Sequence, residues 1–161
     1  MPRRQAVTRR PPARNTTAVL GLAYMGLGHR IVDGVNAAGF PQRPAHSAVM
    51  AHIDIDGGTR LTTIAARANI TPQAAGELVD DLERLGYVVR QPDPDDRRAK
   101  RIVLTERGQA CVAVALSTIA SLEAELEDLI GADGVAQLHD ILHRIIAAGG
   151  RSRGSMSPRS G

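Results

Sequence analysis

Residues 62–104 read TTIAARANITPQAAGELVDDLERLGYVVRQPDPDDRRAKRIVL. Thr62 can cap a short helix over Thr63–Asn69, with Ile64, Ala65 and Ala68 on its inner side. Ile70 plugs the turn that follows. Thr71 is a second N-cap, Pro72 suits the first helical position, and the helix runs to Leu85 with Gly86 as a left-handed C-cap. On a helical wheel of about 100° per residue, Ala75, Leu78, Leu82 and Leu85 share one face. Gln73, Gly76, Glu77, Asp80 and Arg84 take the other. Two short helices joined by a short turn form a helix-turn-helix. Tyr87–Gln91 then predicts a strand. The prolines at 92 and 94 keep the next segment out of a helix, and Lys100–Leu104 predicts the returning strand. A hairpin with a charged tip, directly after the second helix, makes a winged helix.

Upstream, Leu20, Tyr24, Leu27, Ile31 and Val35 recur at helical spacing from Thr16 until Gly39. A second helix is expected from Pro44 to Ile53. Asp54–Gly58 is a turn, and Thr59–Leu61 is expected as a short strand. Downstream, Thr105 caps a helix from Glu106 to about Ile130, striped by Val112, Ala115, Ile119, Leu122, Leu126 and Leu129. A break at Gly131–Gly134 leads to a last helix carrying Val135, Leu138, Ile141, Leu142, Ile145 and Ile146. This is more apolar surface than one small winged helix needs, and a second copy is the simplest cover. The expected fold is mainly α with a small β-wing: a winged helix-turn-helix domain flanked by N- and C-terminal dimerisation helices.

The 161 residues suit one compact domain, with 43 % apolar and 23 % charged residues. No apolar run reaches the roughly 20 residues of a membrane helix, so no membrane partner is expected. The basic N-terminus lacks an apolar segment behind it and is not read as a secretory signal. The lone Cys111 makes no internal disulfide, which points to a reducing compartment, the cytoplasm. Scarce aromatics argue against a base-stacking platform. The net charge of +3 conceals an asymmetry. Residues 1–14 hold five arginines and 149–161 hold three, with no acid in either, while the middle carries 12 basic and 17 acidic residues. The high pI therefore belongs to the ends and is no evidence that the folded part binds nucleic acid. Residues 1–15 and 151–161 are expected to be disordered basic tails around a domain at 16–150. Its winged helix is placed at about 44–104 and its dimerisation helices at about 16–38 and 105–148.

The pattern resembles the MarR family of winged-helix transcription regulators. The resemblance is carried by Leu61-Thr62-Thr63-Ile64-Ala65, the Thr71–Glu83 helix, and Leu85-Gly86-Tyr87-Val88. The wing Pro92-Asp93-Pro94-Asp95-Asp96-Arg97-Arg98 and the exit Leu104-Thr105-Glu106-Arg107-Gly108 complete it. These motifs cover residues 61–108, and the helix order extends the likeness to about 16–148. The resemblance implies a homodimer that binds inverted repeats in double-stranded DNA, in the cytoplasm on the nucleoid. It also implies a repressor that responds to a small aromatic or phenolic ligand, whose pocket residues are left unassigned.

In that setting the N-terminal part of the second helix enters the major groove. Thr71, Gln73, Ala74, Gly76 and Glu77 are the expected DNA-facing residues. Gln73 can read adenine in bidentate fashion, Glu77 can accept from cytosine N4, and Gly76 lets the backbone approach closely. Residues 72–85 hold four acids and one arginine, which is also what a solvated amphipathic helix would show. In the wing, Arg97, Arg98, Lys100 and Arg101 are expected on DNA. Asp96 and Arg98 match the family's pair, in which the arginine enters a narrow minor groove and Asp96 holds its guanidinium. His139 and His143 lie one helical turn apart without a third ligand nearby, so neither a metal nor a cofactor is expected. Cys111 reads as a buried small hydrophobe rather than a redox sensor. No nucleophile–base pair and no phosphate-binding loop is present, so the chain is not read as an enzyme. The alternative to specific DNA binding is a winged-helix protein-interaction or assembly module, favoured by the acidic second helix.

Overall fold

A computed structural model describes residues 15–96 and 98–153, with side chains to residue 148. The element order is α1 (Thr16–Ala37), α2 (Pro44–Met50), β1 (Thr59–Arg60), α3 (Leu61–Ala68), α4 (Pro72–Arg84), β2 (Val88–Pro92), β3 (Lys100–Leu104) and α5 (Glu106–Arg153). The three strands form one antiparallel sheet in the order β1-β3-β2. The winged helix expected from the sequence is present; of the tails expected at 1–15 and 151–161, Asn15 instead caps α1 and residues 151–153 continue α5, while 1–14 and 154–161 fall outside the described residues.

Local chemistry explains the helix ends. Asn15 accepts the Ala18 N–H and starts α1. Thr71 Oγ1 accepts the Ala74 N–H at 3.1 Å and starts α4. At the other end, Gly86 has φ +77°. Its N–H donates to Glu83 O, and the Tyr87 N–H donates to Leu82 O, the paired closure that a left-handed glycine permits. That turn drives Tyr87 into the core, so β2 begins at Val88, one residue later than expected.

Other boundaries also move. Helix α3 starts at Leu61 with Arg60 as its N-cap, so Thr62 lies inside the first turn and caps nothing. The cause is tertiary: Arg60 pairs with Arg101 across the sheet, and the chain turns into the helix straight off β1, which stops at Arg60. Helix α2 ends at Met50, after which His52 and Ile53 close tighter turns onto Val49 and Met50. The break expected over 131–134 is one residue, Gly131, at φ 77° and ψ 158°.

The core gathers Val35, Val49, Met50, Ile53, Ile64, Val79, Leu82, Tyr87, Val88, Ile102, Leu104 and Cys111. On α4 the fully buried residues are Ala75, Val79 and Leu82, while Leu78 and Leu85 are half-buried. Val79 thus joins the inner face that the wheel assigned to its neighbours. Cys111 is buried, and burial pushes its thiol up against the opposing pull of Arg107, as befits an inert core residue.

The chain divides into two compact units, residues 1–118 and 119–161. Each carries apolar side chains that its own fold leaves uncovered. In the first these include Val19, Leu22, Met25 and Tyr24, the last 75 % exposed. In the second, Leu129 is 77 % and Ile146 70 % exposed, with Ile130, Ile141 and Ile145 also open. Among the described residues, Glu106–Ala148 is the one helix long and apolar enough to cross a membrane by length and composition. A count of uninterrupted apolar residues misses it because Ser117, Thr118, Ser121 and Glu123 punctuate the helix.

Candidate nucleic-acid interface

Helix α4 presents its N-terminal half to solvent. Thr71, Gln73 and Glu77 are exposed there, with Ala74 and Gly76 partly covered between them. Gln73 Nε2 donates to Glu77 Oε1 at 3.3 Å, so the two proposed base readers hold each other one helical turn apart. A Cβ on Gly76 would have Leu61 Cδ2 at 3.9 Å as its nearest neighbour, so the helix surface is flat and open at that point.

The acidity of α4 is largely balanced within the fold. Asp81 pairs with Arg43 and Arg84, while Arg90 of β2 reaches both Asp80, at 2.6 Å, and Glu83. Three carboxylates thus meet three guanidiniums on the C-terminal half of the helix. Glu77 makes no ion pair among the described residues. Arg43 stands 38 residues from Asp81 and Arg90 only 7 from Glu83, but both lie outside 72–85, so a count over that stretch omits them. These contacts are mostly solvent-exposed and add little stability. Their effect is to reduce the negative field that would repel a phosphate backbone.

The wing is folded by its own carboxylates. Asp93 N–H and Ala99 O close the loop at 3.0 Å, and the Ala99 N–H returns to Asp96 O. Asp96 Oδ1 accepts the Arg98 backbone N–H at 3.0 Å. It makes no ion pair with the Arg98 guanidinium, so the expected bidentate support is corrected: Asp96 shapes the turn through the main chain. A two-residue separation lets a carboxylate reach the nearer backbone donor first. Arg98 and Lys100 are exposed and make no ion pair among the described residues. Arg101 turns inward to Asp93 and Asp95. Arg97 lies outside the described residues.

Sequence reasoning missed Asp93 and Arg60. The Arg60 Nε donates to Asp93 Oδ2 at 2.6 Å. Together with the Asp95 N–H and Arg101, it holds the Asp93 carboxyl far below the usual carboxylate range. The two residues stand 33 apart, and no local pattern links them.

His46 sits behind the interface, buried at the start of α2. Its Nδ1 lies 3.2 Å from the Arg43 N–H, and its Nε2 lies 3.2 Å from Arg43 Nη2 and 3.5 Å from Asp81 Oδ2. Burial lowers its pKa below 6.5, Asp81 opposes this, and Arg43 and Arg84 reinforce it. The folded state therefore favours the neutral ring. That stabilisation is complete above about pH 6.5 and is lost as pH falls toward the folded value. The melting temperature should drop between about pH 8 and pH 5.5, and drop less in His46→Gln. A glutamine at this position can still accept the Arg43 N–H. Equal drops in both proteins would place the titration elsewhere.

His139 pairs with Glu123 at 3.6 Å, and no group of three or more metal-ligating side chains occurs among the described residues.

Comparison with known proteins agrees with this geometry. Residues 42–99 match the model of the MarR family. The HTH-type transcriptional regulator YkoM of Bacillus subtilis (strain 168) is 28 % identical over 96 residues, 60 % of this chain and 61 % of that protein. The match thus spans about three fifths of that relative's length. The transcriptional repressor CouR, solved on a 23-mer DNA duplex, has a TM-score of 0.69 at 28 % identity, covering 82 % of this chain and 92 % of that one. A MarR-family regulator from Rhodococcus sp. RHA1 has a TM-score of 0.61 at 26 % identity, over 83 % of this chain and 96 % of that one.

Proposed function

We propose that the chain is a winged-helix transcriptional regulator of the MarR family, which it resembles over residues 42–99, and that it binds an inverted repeat in double-stranded DNA as a homodimer and acts as a ligand-responsive repressor. The observation that carries this reading is the division of α4: an open N-terminal face, and a C-terminal half whose acids are matched by Arg43, Arg84 and Arg90. The same pairing weakens the case for a protein-assembly module, which rested on the acidity of α4. Gln73 and its neighbours take the major groove, and Arg98 and Lys100 take the flanking backbone and minor groove. The effector is a small aromatic or phenolic molecule. The site of action is the nucleoid in the cytoplasm, and no catalytic step is involved.

Selection from random duplex DNA tests the reading. A palindromic consensus, with affinity that falls steeply with salt, is expected. Enrichment of no sequence would sink it. Repetition with a panel of aromatic acids looks for release of the DNA.

The homodimer is supported by the uncovered apolar side chains of α1 and α5, since patches of this kind mark interaction sites. Light scattering at micromolar concentration should give the mass of two chains. Leu129→Glu combined with Ile146→Glu should shift that mass toward one chain. A folded wild-type monomer would contradict the proposal.

A further inference from the structure

Arg60 on β1 stands directly opposite Arg101 on β3. Like charges in that position repel and weaken a sheet edge. Here the Asp93 carboxylate lies between them, with its side chain fully buried. Its Oδ2 accepts from Arg60 Nε at 2.6 Å and lies 3.2 Å from Arg101 Nε. Its Oδ1 accepts the Asp95 N–H at 2.9 Å. Arg101 also reaches Asp95, at 2.9 Å. Arg60 is the N-cap of α3. One carboxylate therefore joins the base of the wing loop, the edge strand and the start of the helix-turn-helix. Without its charge, two facing cations lose their shared counter-ion, a far costlier change than losing a surface pair.

We propose that Asp93 is a positioning residue for DNA reading: by holding Arg60 and Arg101 together, it sets the pose in which the wing presents Arg98 and Lys100. The inference rests on the DNA-binding reading above. Two consequences follow from the geometry. Reading of the flanking minor groove depends on Asp93, whereas base reading by α4 does not. Arg101 is a strut of the wing, and its guanidinium is not available for a phosphate.

Asp93→Asn keeps the side chain's shape and its acceptor for the Asp95 N–H but removes the charge. Amide exchange at Asp95, Arg98 and Ala99 should accelerate while α4 keeps its protection. Affinity for the selected operator should fall about tenfold, with the preference for narrow-groove flanks lost and the preference at Gln73-contacted pairs retained. In a double-mutant cycle, Arg98→Ala should add little to Asp93→Asn, because both remove the same contact. Should Asp93→Asn unfold the domain, Asp93→Asn/Arg101→Gln leaves no facing pair of cations; it should fold and still lack the flank preference. Unchanged wing exchange, or fully additive losses with Arg98→Ala, would overturn the proposal. A wild-type chain without sequence preference would sink the DNA reading alone. The exchange measurement would then still decide whether Asp93 anchors the wing.

Discussion

Adding one methyl group at Gly108 should lower the melting temperature by about 6–12 °C. Gly108 lies buried in the first turn of α5, where its N–H donates to Thr105 Oγ1 at 3.0 Å. A Cβ there would come within 2.0 Å of Tyr87 O and 3.2 Å of Leu104 Cδ2. The carbonyl cannot retreat easily, because it accepts the Thr105 N–H at 3.0 Å and belongs to a residue whose ring is fully buried. Alanine in a helix gains up to about 1 kcal/mol over glycine. The overpacking exceeds that gain, and a net cost of about 3 kcal/mol is expected. Gly76→Ala is the control of opposite sign. Its Cβ meets nothing closer than 3.9 Å, so thermal stability should rise by the propensity gain. If α4 lies close against DNA there, the same substitution should weaken operator binding. Calorimetry and operator titration on both variants check the two signs, and a stable Gly108→Ala would mean that α5 does not cross Tyr87 as described.

Arg98→Ala and Gln73→Ala should both weaken operator binding by about 1–3 kcal/mol, with different sequence dependence. Arg98 has no ion pair to break among the described residues, so its loss removes a contact to DNA and disturbs little else. The deficit should be felt on most sequences and be largest where the flanking minor groove is narrow. Gln73 must first give up its 3.3 Å hydrogen bond to Glu77. Its replacement should cost most on the preferred operator and little once the contacted base pair has been changed. Competition titrations over all single-pair operator variants separate the two. A Gln73→Ala loss that is uniform across the set would show that this side chain reads no base, leaving specificity to the wing and to DNA shape.

Much of the architecture is written in short-range signals. The Thr71-Pro72 start of α4 and its Gly86 stop act within one helical turn, and a single pass along the sequence finds them. The paired strands around a proline-rich loop are legible for the same reason, since Pro92 and Pro94 exclude a helix locally. Helix starts that depend on the sheet are not legible. Thr62 is a plausible cap in isolation, yet α3 begins at Leu61 because strand pairing at Arg60 has already set the chain's direction.

The candidate DNA-facing residues were also named by local pattern: exposed positions early in α4 and a cluster of cations in the wing. Capping, amphipathic period and turn chemistry operate over three to five residues, so the winged helix and the exposed positions of α4 and the wing can be read from the chain alone. The charge these surfaces present is set by contacts that form only on folding. Arg43 and Arg90 neutralise an α4 that is acidic when read alone, and Asp93 draws Arg101 out of the wing's free cations toward Arg60. Ion pairs fall off with distance in space and are indifferent to separation along the chain, so folding alone determines which charges meet.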